Sequence, residues 1–204
     1  MNTKFLRIII LATLFVANQL ISTPANAQSS EKSSGLFIGV GNWRGGDRVN
    51  IPDFDGGPRV GSGITAELGF TLKMSTKYNL YNWSFISQRD TDNFISSSDY
   101  STPDGYARGY SLDSLFVKKI PIDSPRSNIV LGAGLQYDFD NQVLDSHASN
   151  LRLDSKVSPI ILVGYSFNKI IVINMRYINT NYHAVIGKEL NGNQVGFFVT
   201  VVTL

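Results

Sequence analysis

From Gly35 onward, the sequence contains successive stretches in which apolar residues recur at every second position, a spacing that places them together on one face of a β-strand. The clearest row begins at Ile129 and continues to Phe139, and the positions between its members are mostly small or polar. A helical period is not sustained over more than about two turns, so the chain is predicted to be all-β. The period predicts eight strands, at residues 35–43, 61–72, 78–89, 106–118, 127–139, 155–167, 169–180 and 192–204.

The strands of a β-sandwich also alternate apolar and polar residues. A β-sandwich is therefore distinguished from a membrane β-barrel by the lengths of the connections between strands. Long and short connections follow one another in strict order along the chain. A membrane β-barrel has long loops at one end and short turns at the other, whereas a sandwich has no reason for this difference. The sequence therefore predicts an eight-stranded antiparallel up-and-down transmembrane β-barrel. The long connections are residues 44–60, 90–105, 140–154 and 181–191. The shorter ones are residues 73–77, an intermediate connection at residues 119–126 and a tight turn around Asn168.

The apolar rows are predicted to face lipid, and the residues between them are predicted to fill the barrel. An eight-stranded barrel has an interior only wide enough for side chains. Strand 78–89 is assigned in the same way, with Tyr81, Trp83 and Phe85 outside. The phase of residues 35–43 stays open. The inward polar residues are then Glu67, Asn82, Ser84, Gln88, Asp113, Asn128, Gln136, Asp138, Asn174 and Arg176.

The start of the chain has the organisation of a signal peptide. Lys4 and Arg7 form a positive segment, a short apolar stretch follows, and Ala25-Asn26-Ala27 matches the small-x-small cleavage pattern. The apolar stretch of about 10 residues is too short to span a bilayer, which needs about 20. We therefore expect cleavage after Ala27, with residues 1–27 as the signal peptide and residues 28–204 as one barrel domain.

Charge and cysteine content exclude several functions. The chain has 18 Lys plus Arg and 16 Asp plus Glu, and removal of Lys4 and Arg7 leaves a mature chain with no net charge. Proteins that bind nucleic acid show a basic face or stripe, so no nucleic-acid partner is predicted. The absence of cysteine removes disulfides, thiolate metal sites and a lipid-modified N-terminal cysteine.

Over residues 28–204 the sequence resembles the small outer-membrane β-barrels, the OmpA/OmpX-like eight-stranded class. The resemblance rests on the signal peptide, the strand count, the unequal connections and the final predicted strand, GNQVGFFVTVVTL. It implies a porin-like barrel in the outer membrane of a Gram-negative cell. The outer-membrane bilayer is then the main partner, lipopolysaccharide is a further candidate partner, and a monomer is expected.

Five inward residues are predicted to form a polar network in the lumen. A charge that is buried at low dielectric is costly unless it is paired. Arg176 is the one cation predicted well inside a strand and facing inward, and its expected partner is Glu67 or Asp113. A structural plug of ion pairs and a gate or ligand-linked site are two alternative interpretations of such a network. The five residues are Glu67, Asp113, Gln136, Asp138 and Arg176.

Catalytic groups are not found at the positions that the resemblance suggests. The deacylase of this class, which acts on lipid A, carries His-x-Ser-Asn after an Arg-Tyr pair. Here Arg176-Tyr177 is followed by Asn179 and Asn181 in place of the His and Ser, so a general base and a nucleophile are missing. His147 and His183 are expected in solvated loops.

The sequence therefore predicts a non-enzymatic barrel without cofactor or metal, with a structural or surface-interaction role through its long loops. Three alternatives stay open: an enzyme that modifies lipid A, a small-solute channel, and a soluble ligand-binding barrel of the lipocalin type.

Overall fold

The computed structural model describes residues 34–47, 59–90, 105–122, 127–145, 150–167, 170–183 and 189–203. The predicted signal peptide at residues 1–27 lies outside these ranges. The strands within them are β1 (Ser34–Gly45), β2 (Gly63–Ser75), β3 (Leu80–Asp90), β4 (Gly105–Pro121), β5 (Asn128–Asp145), β6 (Asn150–Arg152), β7 (Lys156–Phe167), β8 (Ile171–Ile178), β9 (Asn181–His183), β10 (Glu189–Asn191) and β11 (Gln194–Val202).

Eight of these strands form one closed sheet in which every strand is antiparallel to its neighbours. The order around the barrel is β1, β2, β3, β4, β5, β7, β8 and β11. The first and last strands close it, because Phe37 of β1 lies opposite Val202 of β11, and Gly45 lies opposite Gln194. The predicted eight-stranded up-and-down barrel is thereby confirmed.

The two ends of the barrel differ in the length of their connections. Short connections join β2 to β3, β4 to β5 and β7 to β8, at what we call the short-turn end. The connections from β1 to β2, β3 to β4, β5 to β7 and β8 to β11 lie at the opposite, long-loop end. The three short strands also lie there, with β6 paired to the end of β5 and β9 paired to β10. The predicted alternation of long and short connections is confirmed.

Apolar side chains cover the outside of the barrel. Phe197, Leu135 and Ile173 are 61%, 57% and 50% exposed, while their neighbours along each strand point inward and are buried or nearly so. The outward rows predicted for β2, β4, β5, β7, β8 and β11 are confirmed. The phase of β1, which the sequence left open, places Ile38 and Val40 outside.

The predicted phase of β3 is wrong. Tyr81, Trp83 and Phe85 lie inside the barrel and are buried. The register fixes this direction, because Phe85 lies opposite Gly69 of β2 and Asp113 of β4, which are both inward positions. Residues that face one another across neighbouring strands share a face of the sheet.

The polar residues of β3 accordingly lie on the outer face. Asn82, Ser84 and Gln88 were predicted in the lumen, but they alternate with the buried positions of β3. Ser84 lies opposite Ser114, an exposed residue of β4. A side-chain hydrogen bond of 3.2 Å from Asn82 Nδ2 to Ser114 Oγ links these outward residues.

The reversed phase of β3 has a packing reason. A narrow barrel has to be filled with side chains, and the aromatic residues of β3 fill it toward the short-turn end. The ring of Phe37 stacks on Phe85 with centroids 4.5 Å apart, and its centroid lies 5.3 Å from that of Trp83. An apolar row on an alternating strand therefore does not always face lipid.

Candidate functional site in the barrel lumen

The five residues of the predicted polar network all lie inside the barrel and are buried. Glu67 comes from β2, Asp113 from β4, Gln136 and Asp138 from β5, and Arg176 from β8. They do not form one network. The structure divides them among a central ion pair, a carboxylate held by serines, and an arginine cluster at the long-loop end.

The central group is a double hydrogen bond between the Arg176 guanidinium and the Glu67 carboxylate. Nη1 lies 2.6 Å from Oε1, and Nη2 lies 3.0 Å from Oε2. Because β1 and β11 separate β2 from β8 around the barrel, the two side chains meet across the interior. Gly39 of β1 permits the approach, since a Cβ at that position would collide with the Glu67 carboxylate. This two-pronged geometry is among the strongest forms of ion pair.

The remaining surface of the Arg176 guanidinium is also occupied. Its Nε donates a hydrogen bond of 2.8 Å to Asn174 Oδ1, and Asn174 Nδ2 donates in turn to Thr200 Oγ1 at 3.1 Å. The guanidinium carbon lies 4.1 Å from the ring centroid of Phe198 and 4.9 Å from that of Phe85. The protein therefore supplies the opposite charge, the hydrogen bonds and the aromatic contacts of the Arg176 guanidinium, as expected for a structural ion pair that fills the barrel.

Asp113 has a different environment from Glu67. Its Oδ2 accepts hydrogen bonds from Ser111 at 2.7 Å and from Ser87 at 3.4 Å, and Gln136 Nε2 donates to Ser111 Oγ at 2.9 Å. Among the residues that the structure describes, Asp113 forms no ion pair, and Asp113 Oδ1 and Gln136 Oε1 have no hydrogen-bond partner. A buried carboxylate held by hydroxyl groups alone is poorly compensated.

The third group is centred on Arg89, which the sequence analysis missed. Its Nη1 donates to the carbonyl of Gly61 at 2.9 Å and to Gln194 Oε1 at 2.5 Å. Its Nη2 lies 3.5 Å from Asp138 Oδ1, and the Tyr182 hydroxyl donates to Asp138 Oδ2 at 2.8 Å. The group therefore joins β3, β5 and β11 to residues of the long connections.

The Tyr182 hydroxyl is held in its protonated form. Burial raises the pKa of Tyr182 above the ordinary tyrosine value, and the negative charge of Asp138 raises it further. The hydroxyl therefore keeps its proton and remains a donor to Asp138.

Arg89 was missed because the wrong phase of β3 put it outside. Tyr182 lies on a three-residue strand, which is too short to show a period.

Buried apolar residues cover the lumen at the long-loop end. Val60 and Leu153 are buried there, and together with Tyr182 and Arg89 they line a cavity of about 10 Å³. This volume is room for about one water molecule. Backbone hydrogen bonds also join the loops, as from Asp47 N to the carbonyl of Asn191 at 2.7 Å. The described lumen is thus filled at its centre and covered at this end.

The residues weighed for catalysis lie at the surface. The His183 side chain is 57% exposed, and its Nδ1 lies 3.5 Å from Asp154 Oδ2. Asn181, which stands where the deacylase class has serine, donates from Nδ2 to Glu189 Oε1 at 3.0 Å. His147 lies outside the described residues. Within the described ranges no three His, Cys, Asp or Glu residues are grouped as metal ligands.

The described residues contain no apolar helix of a length that would cross a membrane.

Two solved structures are similar to this chain. The Neisserial surface protein A (NspA) aligns with a TM-score of 0.55 and 14% sequence identity, over 83% of this chain and 97% of that chain. Ail, the attachment invasion locus protein of Yersinia pestis, solved with the heparin analogue sucrose octasulfate, aligns with a TM-score of 0.44 and 14% identity, over 83% of this chain and 95% of that chain. No known family and no curated protein matches the sequence. From the closed sheet and its likeness to NspA, the chain has the fold of the small eight-stranded outer-membrane β-barrels.

Proposed function

We propose that this chain is a non-enzymatic outer-membrane β-barrel protein with a structural or surface-interaction role through its long loops. The observation that carries the proposal is the cover of exposed apolar side chains around a closed sheet. Soluble monomers rarely expose so large an apolar surface. A barrel in lipid requires an apolar outer surface, and closure of the sheet removes the open edges whose backbone groups would lack partners away from water.

The proposal includes a route and an orientation. Residues 1–27 act as a signal peptide that is cleaved after Ala27, and residues 28–204 insert in the outer membrane. The short-turn end faces the periplasm and the long-loop end faces the outside, as in bacterial barrels of this architecture. The bilayer is the main partner, and lipopolysaccharide is the proposed ligand of the outer surface.

The contents of the lumen support a structural role over a channel. The Arg176–Glu67 pair crosses the centre, and the buried rings of Phe198 and Phe85 lie against it. Toward the short-turn end the interior holds the buried side chain of Trp83. Such packing leaves little room for a hydrated solute.

Location and orientation are tested together. The full sequence is expressed in a Gram-negative host, and its membranes are separated. The protein is expected in the outer-membrane fraction without residues 1–27. Protease added to intact cells is expected to cut within residues 44–60 or 90–105. Recovery in the soluble periplasmic fraction, or cleavage confined to residues 73–77 or 119–126, would contradict the proposal.

The role is tested on the purified barrel. In planar bilayers it is expected to give no steady open conductance, and a stable pore would favour the channel alternative. Labelled lipopolysaccharide is expected to bind the refolded barrel and to stay chemically unchanged on prolonged incubation. Loss of acyl chains or phosphate from that lipid would contradict the non-enzymatic assignment.

A further inference from the structure

The outer face of β3 is polar within the part of the barrel that meets lipid. Its outward positions include Asn82, Ser84 and Gln88, whereas the outward positions of β8 are all apolar. Ser84 lies four residues from one end of β3 and six from the other, so it falls within the apolar band of about 25 Å that such a barrel presents to hydrocarbon. Polar groups in hydrocarbon are costly unless they have partners, so this face requires a partner that can hydrogen bond.

Ser114 of β4 extends the polar face of β3. It lies opposite Ser84 in the sheet, and Asn82 Nδ2 donates a hydrogen bond of 3.2 Å to its Oγ. Ser84 Oγ donates in turn to Asn82 Oδ1 at 2.7 Å. Within the described part of the chain, Ser114 Oγ donates no hydrogen bond and the Gln88 amide makes none. We call these four residues the polar patch, and it retains donors and acceptors that the barrel does not use.

The serines of the polar patch lie among larger apolar side chains. Leu112 and Phe116 flank Ser114 along β4 and are 54% and 55% exposed. Leu135, which lies opposite Ser114 on β5, is 57% exposed. Small residues in membrane helices let two chains approach closely and hydrogen bond across the contact, and the same physical reasoning applies to the wall of a barrel.

A second copy of the chain has the chemistry that the patch requires. Hydroxyl and amide groups each donate and accept hydrogen bonds, so the patch can pair with itself, and it has no charge that would select a charged partner. Two barrels inserted in the same direction are related by a two-fold axis along the membrane normal, which brings residues of equal depth together. Ser84 and Ser114 are neighbours in the sheet and lie at nearly the same depth, so the serines of one copy meet those of the other.

We infer that the polar patch is the contact surface of a dimer of this chain. The serines lie nearest the two-fold axis, the amides of Asn82 and Gln88 hydrogen bond across the contact, and apolar neighbours such as Phe116 pack around them. The inference rests on the proposed function, because exposure of the patch is costly only in hydrocarbon. It replaces the monomer expected from the sequence. Acyl chains cannot hydrogen bond, which favours a second copy over lipid as the cover of the patch.

The first experiment is disulfide cross-linking, since the chain has no cysteine. Ser84→Cys and Ser114→Cys are made separately, refolded into phosphatidylcholine vesicles at high lipid excess, and oxidised. At least one of them is expected to form a covalent dimer several-fold faster than Ile173→Cys, because a disulfide requires Cα atoms within about 7 Å. Ile173 is 50% exposed on β8, four strands from β3 in either direction around the barrel, so its rate measures random collision.

The second experiment measures association without oxidation. Copies that carry a donor or an acceptor fluorophore at Thr76→Cys, in the β2–β3 turn, are mixed in vesicles and diluted with lipid. One hydrogen bond in a membrane contributes roughly threefold in affinity, and each contact occurs twice in a two-fold dimer. Asn82→Leu should therefore raise the protein-to-lipid ratio at half-dimerisation roughly tenfold. The matched control is Asn42→Leu, at an exposed position on the outer face of β1, and it should leave the ratio unchanged.

Several results would overturn the inference. Cross-linking of both serine positions at the Ile173→Cys rate would leave lipid as the cover of the patch. A photoreactive group at Ser84→Cys that traps only a different membrane protein in cells would assign the patch to that protein. Equal effects of Asn82→Leu and Asn42→Leu would separate any dimer from the patch. Monomers that float with the vesicles overturn the dimer alone, whereas a chain that does not float with them would contradict the proposed function itself.

Discussion

Arg176 and Arg89 are both buried in the same lumen, but they are held in different ways. Arg176 makes two short hydrogen bonds to Glu67 and lies against two aromatic rings, and all these groups come from barrel strands. Arg89 is 3.5 Å from its acid, Asp138, and relies in part on Gly61 and Tyr182, which belong to long connections.

The difference shows how the barrel divides its interior. At the centre, the wall itself supplies every partner, so the ion pair is as fixed as the sheet. Near the long-loop end, the partners come partly from loops, and loops are the least constrained parts of a fold. The residues that close the lumen at the long-loop end should therefore lose their native contacts under milder denaturing conditions than the residues at its centre.

The largest effect is expected at the central pair. Arg176→Met leaves Glu67 as a buried charge without its partner, and the free energy of unfolding should fall by about 3–5 kcal/mol. Urea titration of the barrel refolded in vesicles measures this loss. Arg44→Met, at an exposed position, is the matched control and should change the free energy by less than about 0.5 kcal/mol.

A double-mutant cycle sharpens the assignment. Addition of Glu67→Gln to Arg176→Met removes the stranded charge and should recover part of the loss. If the two single losses simply add, the contact between Arg176 and Glu67 is not the source of the stabilisation.

A smaller loss is expected for the second arginine. Arg89→Met leaves Asp138 with its hydrogen bond from Tyr182, so the free energy of unfolding should fall by about 1–3 kcal/mol. The same urea titration measures it. A loss equal to that of Arg176→Met would remove the distinction between the centre and the long-loop end.

The Tyr182→Phe substitution tests the contact between Tyr182 and Asp138 at the long-loop end, through the pH dependence of the free energy of unfolding. At neutral pH, loss of the hydrogen bond to Asp138 should cost about 1 kcal/mol. The pKa of Tyr182 is raised on folding, so its contribution is complete below the ordinary tyrosine pKa of 10.0. Above that pH the unfolded chain loses the proton while the folded one keeps it, and stability falls by up to about 1.4 kcal/mol per pH unit. Unfolding titrations from pH 8 to about 11 should show a shallower decline for Tyr182→Phe than for the natural chain. Parallel declines would contradict the buried hydroxyl.

The smallest effect is expected at Asp113, and its sign is opposite. Asp113→Asn keeps an acceptor for Ser111 and removes a buried charge that forms no ion pair in the described structure. The free energy of unfolding should rise by up to about 1 kcal/mol. A clear loss in the urea titration would show that the negative charge of Asp113 is compensated by a group that binds there.

Much of the barrel could be predicted from the sequence because two independent patterns agree. Alternation gives the strands, and the unequal connections give the closed up-and-down order. Alternation puts Glu67 and Arg176 on the faces opposite the apolar rows of β2 and β8, and the assumption that these rows face lipid then places both residues inward. Their mutual distance required the structure, because a strand period does not show which side chains meet across a closed sheet.

The errors on β3 have one physical cause. Alternation separates two faces of a strand but does not say which one is inside, and on β3 the interior takes the aromatic face. Phe85 was therefore placed in lipid, and Arg89, on the same face, was lost from the lumen with it. Tyr182 could not be foreseen, since its inward position depends on the path of a long connection rather than on a strand period.

Closure of the sheet between β1 and β11 has a consequence for how the chain reaches its final form. Phe37 and Val202 are neighbours in space although almost the whole folded chain separates them in sequence. Contacts of such long range form slowly, and none of them is available until the last strand has been synthesised. Until then, β1 and the last strand that has formed are both edge strands, and their unpaired backbone groups can pair with other chains. The unfinished chain therefore has two open edges, and a cut that removes β11 should leave these two edges rather than a seven-stranded barrel.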